Sequence, residues 1–491
     1  MPPITFVTAF LDLGENRSKD KSVETCFNHF ARFAQTGVYI RLYLSPCYKS
    51  LYEKTCAPVA TNILVEYLEL RDLLTYKEIE AYTLHLPANR TEYHDTCAFM
   101  TLMNAKAEFL YRSTWLYDGS PIPSRTPWYS THYAWIDFSI FHVFRQPNET
   151  ALYLQMLGNS NLNIKERMLV PGCWDKGAMA HNLFDAVNWR FCGGFMLGDI
   201  QAVKELYGIY RREWAPTIFR QGITWEVNML SHFENQGFWS PAWFKADHND
   251  SIVHIPSTHI SVVASLTTIP SRESSCRLAI DSLLPQVDRI YLSVANHYKR
   301  FETSWVKPEY LNTEPYSSKV RIVSTEDCGP ATKYIGALDT IPPYVWTFVC
   351  DDDQEYHPHL IQRMKAQFNE LAVYQNHCEA IKQKTSGGLV HGYVGLCVNS
   401  GILGKLRSHP LPPSAYFVDD QWMSIFLFLN SIPVLPSGVE AYSEIFSVLE
   451  GWHEKIGADS LAGLNNRASQ VAAIAEFFRV KFTEGGSLVR L

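Results

Sequence analysis

Three consecutive aspartates, Asp351, Asp352 and Asp353, follow an apolar stretch at residues 344–350 that has the composition of a buried strand. Carboxylates at the end of a buried strand cost free energy unless a cation or hydrogen-bond donors satisfy them. Asp351 and Asp353 alternate along the chain, so the pair can hold Mg²⁺ or Mn²⁺ and leave coordination sites open for a diphosphate. The alternative is an acidic turn after an edge strand, because aspartates are common in turns.

Residues before and after the triplet carry groups that would suit a site for a metal ion and a diphosphate. Lys333 follows a Gly-Pro turn at the start of a predicted helix, where its ammonium group can reach a diphosphate; otherwise it is a solvated surface lysine. Asp419 and Asp420 begin an apolar helix, where carboxylates suit the helix dipole and equally a general base facing an acceptor hydroxyl. His453 is a candidate third metal ligand, although most single histidines are not ligands.

Composition narrows the class of protein. A length of 491 residues, 46% of them hydrophobic, predicts two or three domains with sizeable cores. A net charge of −7 provides no basic field for a nucleic-acid partner. The 11 cysteines include no Cys-x-x-Cys pair, which predicts reduced, mostly buried thiols rather than a zinc ribbon or a disulfide scaffold.

The sequence shows no sign of export or of a membrane anchor. The N-terminus lacks the basic and long apolar regions of a signal peptide. The longest uncharged stretch, residues 421–439, is interrupted by prolines and predicts a buried helix followed by a strand rather than a membrane span. We therefore expect a cytoplasmic protein with no transmembrane segment.

A polar stretch at residues 245–251 is the best candidate boundary, and it divides the chain into domains at residues 1–250 and 258–491. Each half opens on an apolar strand that ends in small hydroxylated residues and leads into a helix and another strand. This alternation predicts an α/β protein with two Rossmann-type domains in tandem, each built on a mixed, mostly parallel sheet. Ligands of such sheets bind at the carboxyl ends of the strands, where these polar residues fall.

Four motifs follow one another in the second half: Ser265–Arg272, the Gly329-Pro330-x-x-Lys333 turn, the Asp triplet and Val418–Gln421. Together they resemble the GT-A-fold glycosyltransferases of bacterial and large-virus surface-glycan clusters, with the triplet as the DxD motif, over about residues 259–491. The resemblance implies donor binding by Thr267, Arg272, Lys333 and Asp352, and metal binding by Asp351, Asp353 and His453. It implies that Asp420 is the catalytic base and that Asp419 and Trp422 face the acceptor.

The first half has fewer candidate residues for a metal or diphosphate site. Asp137 lies in an apolar, strand-like run, where a single aspartate is usually functional or hydrogen-bonded. Lys106 lies on a predicted helix, and Glu226 lies in the first turn of another. The glycine pair Gly193–Gly194 allows the backbone to approach a ligand closely, with tight packing between strands as the alternative.

These residues also form an ordered set: Phe6–Asp12, Lys106, Trp135–Asp137, Cys192–Phe195 and Trp225–Glu226. The set resembles the HtrL/YibB (WlaTC-like) glycosyltransferases over residues 3–245, which implies a GT-A-like fold with the Trp-Ile-Asp strand in the place of the DxD motif. Ser139 stands where a second carboxylate would be wanted, so metal binding by this half stays open. The resemblance implies donor-side roles for Thr8, Asp12, Lys106 and Asp137, acceptor-side roles for Gly193 and Gly194, and a catalytic role for Glu226.

The two resemblances imply a bifunctional glycosyltransferase that moves sugars from nucleotide-sugar donors to a growing glycan or glycoprotein. Mn²⁺ or Mg²⁺ would assist at least the C-terminal domain, and for a viral protein the cytoplasm would be that of the host. One alternative is a single active domain with a degenerate carbohydrate-binding domain. Another is a metal-dependent nucleotidyltransferase or phosphohydrolase, because acidic strand ends also serve phosphoryl transfer.

Overall fold

A computed structural model describes residues 3–14, 22–115, 130–178, 182–342, 345–365, 373–375, 390, 392, 395–436, 446–448, 467–483 and 488–491. The chain divides into two compact units, residues 1–259 and residues 260–491. Residues 250–259 belong to the first unit because they are hydrogen-bonded to it. The Asp250 carboxylate accepts hydrogen bonds from the backbone amides of Arg145 and Gln146, and the His259 carbonyl accepts one from the amide of Asn163.

The described part of the first unit forms one seven-stranded mixed sheet. Its strands are β1 (Ile4–Phe10), β2 (Tyr39–Leu44), β3 (Ile63–Tyr67), β4 (His132–Ile136), β5 (Leu169–Gly172), β6 (Phe195–Asp199) and β7 (Ala242–Lys245). The order across the sheet is β3-β2-β1-β4-β6-β5-β7. β1 is parallel to both β2 and β4, whereas β6 is antiparallel to β4. The carboxyl ends of β1, β2, β3 and β4 therefore meet at one edge.

Helices cover this sheet and bury apolar side chains such as Val7, Tyr43 and Trp135 in a shared core. They are α1 (Val23–Ala34), α2 (Lys49–Thr55), α3 (Leu74–Lys77), α4 (Cys97–Asn104), α5 (Lys106–Arg112), α6 (Pro147–Gly158), α7 (Ile200–Gln221) and α8 (Glu226–Asn235). The single helix predicted around Lys106 is two helices that meet at Ala105, so Lys106 begins α5.

The second unit contains, in its described part, another seven-stranded mixed sheet and two short antiparallel pairs of strands. Its strands are β8 (Val262–Thr267), β9 (Arg289–Ala295), β10 (Val320–Thr325), β11 (Trp346–Val349), β12 (Gln354–Tyr356), β13 (Val373–Gln375), β14 (Leu396–Asn399), β15 (Val434–Pro436), β16 (Phe446–Val448), β17 (Val480–Phe482) and β18 (Leu488–Arg490). The order in the large sheet is β10-β9-β8-β11-β14-β13-β15, and the small sheets pair β12 with β16 and β17 with β18.

The helices of the second unit are α9 (Glu273–Leu283), α10 (Tyr316–Lys319), α11 (Thr332–Ile335), α12 (Leu360–Lys365), α13 (Ser400–Gly404), α14 (Asp419–Leu429) and α15 (Arg467–Phe477). The helix and strand predicted for residues 421–439 are confirmed as α14 and β15. Residues 373–375 pair with β14 as strand β13. Among the described helices, none has the length and apolar character needed to cross a bilayer.

The two large sheets have the same topology. In chain order, the positions of β1 to β7 in the first sheet are taken in the second sheet by β8, β9, β10, β11, β13, β14 and β15. The directions agree as well, since β14 is antiparallel to β11 and β13 is parallel to β15, as β6 is to β4 and β5 is to β7. The predicted α/β class, with mixed and mostly parallel sheets in tandem, is confirmed.

Candidate active site

A buried lysine lies at the carboxyl edge of the second sheet. Lys333 is the second residue of α11, and its side chain is only 3% exposed. Its Nζ lies 2.6 Å from Asp351 Oδ1 and 3.0 Å from Asp419 Oδ2. Asp351 follows the end of β11, and Asp419 is the first residue of α14. The lysine therefore joins the central strand to the helix that covers its end.

Burial by itself would lower the pKa of Lys333, but the carboxylates of Asp351 and Asp419 outweigh it and hold that pKa well above its usual value. The ammonium form is thus the resident form. A lysine enclosed by two carboxylates presents little surface to a diphosphate, and the donor contact of Lys333 stays a prediction.

Arg272 holds the other two aspartates of the triplet. Its Nη1 lies 3.0 Å from both Asp352 Oδ1 and Asp353 Oδ2, and its side chain is 28% exposed. Burial raises the pKa of Asp352 to about 6, against the opposing effect of Arg272. Arg272 is therefore the more accessible cation of the two and the better placed to meet an anionic ligand.

Asp420 differs from its neighbour Asp419 in its partners. Its Oδ1 accepts a hydrogen bond from the Gly392 amide (2.9 Å), and the Tyr334 hydroxyl donates to the same oxygen at 3.5 Å. Burial, and then the charge of Asp419, raise the pKa of Asp420 to about 7. The expectation that the helix dipole keeps Asp420 ionised is corrected, since desolvation and negative neighbours outweigh the dipole.

The donor set of this cluster suits a hard divalent cation. In the described residues five carboxyl groups face two cations, Lys333 and Arg272, and the carboxyl groups belong to Asp351, Asp352, Asp353, Asp419 and Asp420. Carboxylate oxygens are the ligands that Mg²⁺ prefers, so the excess of negative charge fits the predicted metal. The triplet brings no three ligand atoms of described residues together, and His453 lies outside the described residues. The metal site stays a prediction.

A similar cluster lies at the edge of the first sheet. Lys106 is 2% exposed, and its Nζ lies 2.7 Å from Glu226 Oε1 and 3.1 Å from Asp137 Oδ1. The same Nζ donates a hydrogen bond of 2.8 Å to the Gly193 carbonyl. The indole N–H of Trp135 donates to Asp137 Oδ1 at 2.8 Å and orients that carboxylate. The structure thus brings together four residues that the sequence analysis selected separately.

The glycine pair is required by close packing. A Cβ on Gly193 would lie 1.9 Å from Glu226 Oε1, and a Cβ on Gly194 would lie 2.9 Å from Ile140 Cδ1 and from Ile252 Cδ1. The predicted close approach of the backbone therefore exists, but it is made to the side chains of the site and of the core. An acceptor-side role for the pair stays a prediction.

The two clusters occupy the same place in their sheets. When the seven strands of each large sheet are numbered in chain order, the lysine lies on the helix before the fourth strand. It pairs with an aspartate just after that strand. It also pairs with an acidic residue that begins the second α-helix after the sixth strand. We call this arrangement the lysine bridge; it consists of Lys106, Asp137 and Glu226 in the first unit and Lys333, Asp351 and Asp419 in the second. The lysine bridge recurs although the two halves show no detectable sequence repeat.

The correspondence corrects one pairing made from the sequence. Glu226 and Asp420 were given matching catalytic roles, but the counterpart of Glu226 is Asp419, and Asp420 corresponds to Val227. Sequence reasoning also missed Gly392, where an added Cβ atom would lie 2.5 Å from Lys333 Nζ. A glycine shortly before the sixth strand, as at Gly193, was the available signal.

Four other predicted residues have mixed outcomes. Thr267 ends β8, and its hydroxyl donates to the Ser293 carbonyl at 2.8 Å. Asp12 is exposed after β1 and accepts a hydrogen bond from the Tyr48 hydroxyl. Thr8 and Trp422 are fully buried, so the structure corrects their assignment to ligand surfaces. Thr8 is enclosed in β1, an interior strand of its sheet, and Trp422 packs in the core.

No protein-family model and no curated protein sequence matches this chain. Among solved structures, mouse xyloside xylosyltransferase 1 matches at 10% identity and a TM-score of 0.27, covering 50% of this chain and 84% of that one. The galactosyltransferase LgtC, solved with donor and acceptor sugar analogues, matches at 11% identity and a TM-score of 0.27, covering 50% of this chain and 73% of that one.

A nucleotidyl transferase from Methanothermobacter matches at 13% identity and a TM-score of 0.25, covering 44% of this chain and 96% of its own. At these TM-scores the likenesses carry no argument about the family or the activity of this chain. The functional conclusion therefore depends on the site itself.

Proposed function

We propose that the chain is a glycosyltransferase with one nucleotide-sugar site in each unit, and that it adds sugars to a growing glycan. The observation that carries the proposal is the lysine bridge at the carboxyl edge of each sheet. Burying an ammonium group between carboxylates costs desolvation energy, and a buried ion pair is weak evidence for stability alone. Ligands of sheets of this type bind at the same edge. The recurrence of the bridge at that edge supports a functional role in both units.

In the second unit, Lys333 acts as a positioning residue that holds Asp351 toward the donor side and Asp419 at the helix. Asp351 and Asp353 would hold Mn²⁺ or Mg²⁺, which would offset the charge developing on the leaving diphosphate. Arg272 contributes a second positive charge from the partly exposed side of the triplet. These roles give the donor diphosphate a cationic surface without requiring the buried lysine to reach it.

Asp420 is the proposed general base. Its carboxylate accepts the proton of an acceptor hydroxyl while the hydroxyl oxygen bonds to the anomeric carbon. The bond between that carbon and the diphosphate oxygen breaks, and its electron pair leaves with the diphosphate. A pKa of about 7 suits a base that works near neutral pH. In the first unit, Asp137 is the donor-side carboxylate and Glu226 is the catalytic carboxylate held by Lys106.

The full chain, incubated with a panel of nucleotide sugars and glycan acceptors, tests the proposal. Glycosylated acceptor with free nucleoside diphosphate is expected, whereas release of pyrophosphate or inorganic phosphate would indicate a phosphoryl-transfer enzyme. Asp351→Asn and Asp137→Asn are each expected to abolish a different sugar addition. Asp339→Asn, at a position whose side chain is 92% exposed, is the matched control. Loss of all transfer in Asp351→Asn and of none in Asp137→Asn would favour a single active domain.

A further inference from the structure

Two cysteines and a histidine that are far apart in sequence meet at one end of the first sheet. Cys173 directly follows β5, Cys192 lies three residues before β6, and His248 lies three residues after β7. Backbone hydrogen bonds fix the segments to one another; the Cys192 amide donates to the Pro171 carbonyl at 2.8 Å. The two cysteines lie near opposite ends of the connection between β5 and β6, and the pairing of β5 with β7 brings the segment of His248 beside Cys173.

Their ligand atoms are close enough to share one ion. The two sulfurs are 3.3 Å apart, and Cys173 Sγ lies 3.8 Å from His248 Nδ1. All three ligand atoms lie within 4.8 Å of one another. Asp247 adds a carboxylate, with Oδ1 3.9 Å from Cys173 Sγ. In a tetrahedral zinc site with Zn–S and Zn–N distances of about 2.3 and 2.0 Å, two sulfurs are about 3.8 Å apart and a sulfur and a nitrogen about 3.5 Å apart. The two separations in this cluster each lie within about 0.5 Å of these values.

We propose that Cys173, Cys192 and His248 bind a Zn²⁺ ion, with Asp247 completing a tetrahedral site. Two thiolates, an imidazole and a carboxylate form a donor set that favours zinc over the oxygen-seeking Mg²⁺ and Ca²⁺. The ring of Trp189 packs edge-on against His248 at 4.3 Å and holds the imidazole in place. With four protein ligands the site has no open position, so its role is structural.

The spacing of the sulfurs favours a metal over a disulfide. A disulfide requires the sulfurs to be about 2.05 Å apart, whereas these are 3.3 Å apart with an imidazole directed at one of them. A bound Zn²⁺ would displace the protons of both thiols.

The site would stabilise the loop that carries part of the lysine bridge. Cys192 immediately precedes Gly193, whose carbonyl accepts the hydrogen bond from Lys106. Fixing Cys192 to β5 and to the segment after β7 would therefore fix the position of that carbonyl. The inference concerns a structural metal and does not depend on the reaction proposed above.

The test uses the full chain without an affinity tag. Zinc content by mass spectrometry is expected to be about one equivalent per chain and to fall to background in Cys173→Ser, Cys192→Ser and His248→Ala. Cys97→Ser, a partly buried cysteine in the same unit, should retain the metal. Replacement of zinc by Co²⁺ should give a thiolate-to-cobalt charge-transfer band in the near ultraviolet, which an all-carboxylate site such as the Asp triplet would not give.

The cobalt spectrum of the unmodified chain tests for the thiolate-ligated site even if a variant fails to fold. A charge-transfer band that Cys192→Ser removes and Cys97→Ser keeps would support the site. Absence of the band from the unmodified chain would overturn the proposal, as would a Cys173–Cys192 disulfide found by peptide mapping of protein purified without reductant.

Discussion

Glu226 and Asp419 are structural counterparts. Each is the first residue of its helix, and each pairs with the buried lysine of its own unit, at 2.7 Å and 3.0 Å respectively. Asp420, one residue further along, has no acidic counterpart in the first unit. The acid that the lysine positions and the acid proposed as base are thus two different residues in the second unit, and their variants should behave differently.

Lys333→Met should destabilise the second unit by about 3–5 kcal/mol, because it leaves Asp351 and Asp419 buried without their common partner. The measurement is urea denaturation followed in the region of the second unit, for example by hydrogen exchange of β11. Lys405→Met, at an exposed position in the same unit, should change stability by less than about 0.5 kcal/mol. Equal effects of the two variants would show that the lysine bridge is not a structural element.

Asp420→Asn should lower kcat by about 10²-fold or more and leave KM for the donor nearly unchanged, since a general base contributes about that factor. Asparagine keeps an oxygen for the Gly392 amide. Because the base acts in its ionised form and the pKa of Asp420 is raised to about 7, the unmodified enzyme should gain activity as pH rises through that value. The variant should lack this step in its pH profile. A large increase in donor KM would instead place Asp420 in donor or metal binding.

Removal of divalent metal should abolish transfer by the second unit, and Mn²⁺ or Mg²⁺ should restore it. Asp353→Asn should raise the Mn²⁺ concentration needed for half-maximal activity by about tenfold or more, because it removes a proposed ligand and even the loss of a residue that only supports a ligand costs about tenfold. Its fold should persist, because Arg272 retains Asp352. Full activity of the unmodified enzyme in excess chelator would refute the metal assignment.

Glu234→Gln should destabilise the first unit by about 3–5 kcal/mol. Glu234 accepts two hydrogen bonds of 2.9 Å from Arg190, and both side chains are buried, at 6% and 2% exposed. Glu53→Gln is the matched control. Glu53 pairs with Lys49, both side chains are 59% exposed, and such a pair contributes at most about 1 kcal/mol to stability. Thermal unfolding of the two variants distinguishes these cases.

His409 should make the second unit sensitive to mild acid. Burial lowers the pKa of His409 from 6.5 to about 4, and its ring stacks on Phe478 at 4.6 Å. Between these pH values the unfolded chain binds more protons at this histidine than the folded one, so its contribution to stability is complete above about pH 6.5 and is lost progressively as pH drops toward 4. His409→Phe should flatten the unfolding temperature over this range; an unchanged slope would assign the acid sensitivity to other groups.

The alternation of apolar strands and helices was sufficient to predict the class of fold, because that pattern is local in the sequence. The lysine bridges were found only as separate residues. Lys106 and Glu226 are 120 positions apart, and their contact arises from strand order, which local patterns do not encode. Trp422 illustrates the opposite error, since an aromatic residue beside two acids suggested a ligand surface whereas the helix turns its side chain into the core.

The cysteines show a related limit. A search for closely spaced cysteine pairs cannot detect ligands that lie beside three different strands. Cys173 and Cys192 become neighbours only when the two ends of the connection between β5 and β6 are hydrogen-bonded together.

The attachment of residues 250–259 to the first unit decides how the protein should be divided for expression. A fragment ending at residue 250 would lack Ile252 and Val253, which are 2% and 0% exposed in the intact chain, and would uncover the apolar surface beneath them. Such a fragment would tend to aggregate for reasons unrelated to catalysis. Cloning the two halves on either side of the His259–Ile260 bond keeps this covering segment with the unit that it protects.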